Sequence, residues 1–67
     1  IMAYGILALK YCGLRLTLKV CQSGGGFYLG TTDDSGPVSR ESYEYWPTEE
    51  AAQKALETSQ WNQRTHP

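Results

Sequence analysis

The chain has 67 residues, 40% of them hydrophobic and 19% charged, and a formal net charge of −1. That length fits one domain with a small core, since about 60 residues bury only about 60% of the surface exposed on unfolding. The composition argues against wholesale disorder, the charge against the basic excess of a generic nucleic-acid binder, and the length against an enclosed small-molecule pocket.

The charge is unevenly laid out. Residues 1–32 carry Lys10, Arg15 and Lys19 and no acid, a sum of +3. Residues 33–57 carry Asp33, Asp34, Glu41, Glu44, Glu49, Glu50 and Glu57 against Arg40 and Lys54, a sum of −5. Such a block is either a solvated helix and turn or a face that meets a basic partner.

In chain order, IMAYGILALKYCG (1–13) opens apolar. It has no basic n-region and falls short of the roughly 20 apolar residues that span a bilayer. It reads as an N-terminal extension or an extra strand, and no membrane partner is expected. LRLTLKVCQ (14–22) alternates: Leu14, Leu16, Leu18 and Val20 point one way, and Arg15, Thr17, Lys19 and Cys21 the other. That is the period of a half-buried strand. SGGG (23–26) leads into Phe27, Tyr28 and Leu29, and so reads as a hairpin turn; a phosphate loop would open a helix.

FYLGTT (27–32) is the second predicted strand. DDSGP (33–37) is a turn: Asp33 and Asp34 lack the alternating oxygens and closing glutamate of a calcium loop. VSRESYEYW (38–46) is the third strand, with Tyr43 and Tyr45 on one face, Val38 and Trp46 on the other, and room for a bulge. PTEEAAQKALE opens a helix. Thr48 is its N-cap, Glu49 and Glu50 complement the dipole, Ala51, Ala52, Ala55 and Leu56 form the apolar stripe, and Glu50 and Lys54 pair on the wet side.

These elements predict an α+β domain over residues 14–61: a three-stranded antiparallel meander with one C-terminal helix on one face, followed by a loose tail at 62–67. The predicted core is Leu14, Leu16, Leu18, Val20, Leu29, Ala52, Ala55 and Leu56, with Trp46 and Trp61 completing it. Arg15, Thr17, Lys19, Tyr28, Tyr43 and Tyr45 are left for the open face.

Chemistry is thin. His66 is the only histidine and lies beside the chain end, so no nucleophile–base set is expected. Cys12 and Cys21 lack a zinc spacing; they read as reduced thiols of a cytoplasmic protein, the alternative being a disulfide if they face each other across a hairpin. Glu41 and Glu44 fall on opposite faces of a strand, which argues against a shared acid–base site. The expectation is a non-enzymatic protein with no cofactor. Tyr28, Tyr43, Tyr45 and Trp46 cluster in the predicted sheet and, with Arg40, have the residue types of a binding interface.

Three strands followed by the helix WPTEEAAQKAL resemble the arm-type DNA-binding domain of phage integrases over roughly residues 14–58. That resemblance implies DNA contact from the open sheet face, here through Arg15, Lys19 and Arg40. YLGTTDDSGPVSRES, YEYWPT, EEAAQKAL and the ending WNQRTHP look like small phage and prophage proteins of the anti-CRISPR type. That resemblance implies a protein acting in the host cytoplasm that blocks a nucleic-acid-handling defence complex by direct binding. The expected contact residues are Asp33, Asp34, Glu41, Tyr43, Glu44 and Tyr45, against a host protein or ribonucleoprotein with a basic surface. A homodimer through exposed strand edges is a further possibility.

Overall fold

The computed structural model describes residues 3–66. In chain order it contains α1 (Ile6–Cys12), β1 (Lys19–Ser23), β2 (Gly26–Asp33), β3 (Gly36–Arg40) and α2 (Glu49–Thr58). The strands form one antiparallel sheet in the order β1-β2-β3, so the predicted meander and its C-terminal helix are present. No helix among the described residues is long and apolar enough to cross a membrane.

The two hairpins form where turn chemistry asks for them. Ser23 pairs with Gly26 across Gly24–Gly25, and Asp33 pairs with Gly36 across Asp34–Ser35. Gly26 sits at φ 122°, and a Cβ there would lie 2.9 Å from the Trp46 carbonyl oxygen, so this position requires glycine. In the second turn the Asp33 carboxylate accepts from the Ser35 N–H at 2.8 Å.

α2 lies where its apolar stripe predicts. Thr48 Oγ1 accepts from the Ala51 N–H at 3.1 Å, as an N-cap should. Ala52 and Ala55 are buried, and small side chains let the helix lie close to the sheet. Leu18, Leu29 and Ala52 form the core, with Val20, Phe27, Trp46, Leu56 and Trp61 packed around them.

Several expectations are corrected. The N-terminal segment folds as helix α1 rather than as an extension or a strand, although Tyr4 makes one antiparallel bridge to Thr17. The predicted strand 14–22 is therefore split. Residues 14–18 turn back on the N-terminal segment, with Gly5 N–H donating to Leu16 O at 2.9 Å and Leu18 N–H to Ala3 O at 2.8 Å. Only Lys19–Ser23 joins β2. Leu14 is consequently 40% exposed and Leu16 half-buried; neither belongs to the core.

The third strand ends at Arg40 instead of Trp46. Leu29 O accepts from both the Glu41 and the Ser42 N–H, at 2.8 and 3.0 Å, which is the signature of a bulge. Residues 41–45 then leave the sheet, and the chain rejoins it where Trp46 bridges Phe27. The tail at 62–67 is tied down over its described part. Ser42 bridges Gln63, Tyr43 N–H donates to Asn62 O at 3.0 Å, and Arg64 N–H donates to Glu41 O at 2.7 Å.

Candidate binding face of the sheet

The six residues expected to form an acidic, tyrosine-rich face do not come together. Glu41 is 0% exposed. Its carboxylate accepts from the Leu7 N–H at 3.0 and 3.1 Å, the Ala8 N–H at 3.2 Å, the Ser39 hydroxyl at 2.5 Å and the Gln63 amide at 2.8 Å. It serves as the cap of α1, which has no capping side chain of its own. Burial pushes its pKa up, but the four donor groups outweigh that and hold it below the usual carboxylate value. A partner cannot reach it.

Glu44 is half-buried and turned toward the tail. It accepts from the Asn62 N–H at 3.0 Å and from the Asn62 side-chain amide at 2.6 Å. Its partial burial raises the pKa, and the Asn62 donors override this and lower it. Asp33 and Asp34 are exposed at the β2–β3 tip, and Tyr43 is 56% exposed beside the tail. Tyr45 alone of the six reaches the sheet face.

A different constellation does assemble. Val20 and Leu29 pair on the α2 side, so by alternation Lys19 and Cys21 of β1, Tyr28 and Gly30 of β2 and Arg40 of β3 share the opposite side. Lys19, Gly30 and Arg40 lie in one register row across the three strands. The excursion at 41–45 folds Tyr45 back over this side. Its ring meets Tyr28 edge-on, with centroids 5.9 Å apart and planes at 72°. The Arg40 guanidinium carbon is 4.9 Å from the same ring's centroid, and Arg40 Nη1 donates to the Tyr45 hydroxyl.

The Arg40 hydrogen bond lowers the Tyr45 pKa, helped by the nearby charges of Arg40 and Arg64. Burial raises the Tyr28 pKa, and Arg40 acts against it. Burial also raises the Cys21 thiol, and Lys19 acts against that. The cations that bear on these groups are Lys19 on Cys21, Arg40 on Tyr28 and Tyr45, and Arg64 on Tyr45. The Nε of Arg40 is buried without a hydrogen-bond partner among the described residues.

Of the three cations expected to contact DNA, Lys19 and Arg40 meet on this face. Arg15 does not: it lies over Tyr4, 5.6 Å from the ring centroid, on the segment paired with the N-terminal residues. Arg64, whose charge bears on Tyr45, is brought near by the tail bonding to Glu41, which no local sequence signal announces.

Among the described residues no group of three metal-ligating side chains converges. Both cysteines are free thiols. A groove of about 330 Å³ lies between Ala3, Thr17 and α2, but Glu57 is its one ionisable lining residue. Comparison with protein-family models, with curated proteins and with solved structures returned no match.

Proposed function

We propose that this protein is a non-enzymatic binding module that holds nucleic acid against the open face of its sheet. The observation that carries the reading is geometric: in a chain of net charge −1, Lys19 and Arg40 share with Tyr28 and Tyr45 the side of the sheet opposite α2. Cations on one face provide the electrostatic footprint for phosphate, whatever the net charge. Arginine suits the task because its planar fork pairs with phosphate and stacks on rings.

The test is a titration of labelled oligonucleotide across a salt series between about 50 and 200 mM. Affinity should fall steeply with salt. Lys19→Ala should reduce the slope of log K against log salt by about 0.7–0.9, the share of one phosphate contact. Affinity that is absent, or indifferent to salt and to Lys19, refutes the reading.

A second reading draws on the exposed carboxylates of Asp33, Asp34, Glu49, Glu50 and Glu57. Here the protein is a phage or mobile-element inhibitor, pressing acids against the phosphate-binding surface of a host complex, a CRISPR effector first among them. Glu41 and Glu44 have no part in it, given their internal bonds. Capture of a ribonucleoprotein that is lost on Asp33→Lys with Asp34→Lys, with no oligonucleotide binding, would favour this reading over the first.

A further inference from the structure

We infer that the ligand of the open face is single-stranded nucleic acid, bound with a base stacked on Tyr45. This rests on the reading that the face binds nucleic acid, and it narrows the class of ligand. Three observations carry it.

The first concerns the hairpin tips. A β-ribbon reads duplex DNA by entering the major groove, which brings its tip between two phosphate backbones. The β2–β3 tip of this protein carries Asp33 and Asp34, both exposed. Two carboxylates at the leading edge repel the duplex they would have to enter. The β1–β2 tip, Gly24–Gly25, carries no side chain for a base edge to meet.

The second is the number of cations. Lys19, Arg40 and Arg64 are few beside the roughly six to ten phosphate contacts of proteins that hold duplex firmly. Lys19 and Arg40 stand two strands apart, a span of about 10 Å. That suits a single backbone crossing the strands and falls short of two backbones on either side of a groove.

The third is the ring. Tyr45 is 40% exposed on the basic side of the sheet. It is held in place by Arg40 at its hydroxyl, by Tyr28 in a T-shaped contact and by the β1–β2 turn, where a Cβ on Gly25 would lie 3.5 Å from Tyr45 Cε1; its exposed part is what remains open. A pre-positioned ring offers its π surface to an unpaired base, whereas bases stacked inside a duplex have no face to give.

The experiment is fluorescence anisotropy with a labelled mixed-sequence single strand and with the same sequence as a duplex, on the full chain. The single strand should bind at least about ten-fold tighter. Tyr45→Leu should weaken single-strand binding by about ten-fold, while Tyr45→Phe, which keeps the ring, stays within about three-fold of the parent. Thermal melting of each variant checks folding; if Tyr45→Leu unfolds, the parent's ratio of single-strand to duplex affinity decides alone. Equal or tighter duplex binding overturns the inference and leaves the face as a nucleic-acid site. Loss of binding to both forms overturns the functional reading as well.

Discussion

Glu41 ties together three parts of the chain that are distant in sequence: the start of α1 through Leu7 and Ala8, β3 through Ser39, and the tail through Gln63. Gly5 belongs to the same arrangement, because a Cβ there would lie 2.4 Å from Thr31 Cγ2 and 2.7 Å from Glu41 Oε2. Removing the carboxylate leaves buried donors without acceptors, so Glu41→Ala should cost about 3 kcal/mol in urea unfolding, with Glu41→Gln costing less. Arg40 should behave in the opposite way. Its orphaned Nε–H offsets much of what its ring contact contributes, so Arg40→Met should change stability by no more than about 1 kcal/mol. Oligonucleotide affinity should nevertheless fall. A variant that loses stability and affinity together would show that Arg40 acts mainly as packing.

The two helices differ in where their stability comes from. α2 carries its own start signal, with Thr48 bonded to the Ala51 N–H and Glu49 and Glu50 in its first turn. Thr48→Ala should therefore cost about 1 kcal/mol, seen as a lower melting midpoint with an unchanged folded spectrum. α1 is seven residues long and is capped from outside, by Glu41 at its N-terminus; Gly13, at φ 68°, closes its other end. A helix that short does not hold in water alone. In the Glu41→Ala protein, backbone amides of α1 should exchange faster than those of α2 under native conditions. Uniform exchange across both helices would contradict that dependence.

At the scale of the whole molecule, Lys19 and Arg40 lie on the open face, while the exposed acids lie at the β2–β3 tip and, with Lys54, on α2. Two carboxylates, Glu41 and Glu44, are spent on internal bonds instead, and both have lowered pKa values. A carboxylate with a pKa below its unfolded value stabilises the fold above that unfolded value, about 4.3 for glutamate. The contribution is lost as pH falls through the lower, folded value. Stability from these two groups should thus be flat from about pH 7 to pH 5 and drop below about pH 4. Acid unfolding followed by circular dichroism checks this, and Glu41→Gln should make the drop shallower.

What the sequence by itself determined were the features that are local. The glycine turn, the DDSG turn, the Thr48 cap and the alanine stripe each need only neighbouring residues, and each appears where its chemistry requires it. The alternation at 14–22 was real, but alternation states which side chains share a face and not which strand lies alongside; the Tyr4–Thr17 bridge captured its first half. The tertiary structure alone decided the fate of the carboxylates. As letters, Glu41 and Glu44 are indistinguishable from Glu49 and Glu50. Backbone donors from α1 and the tail drew the first pair inward and left the second pair in water. The cluster on the open face arose the same way: Tyr45 and Arg40 are five residues apart, and it is the bulge at Glu41–Ser42 that turns the chain so that one lies over the other.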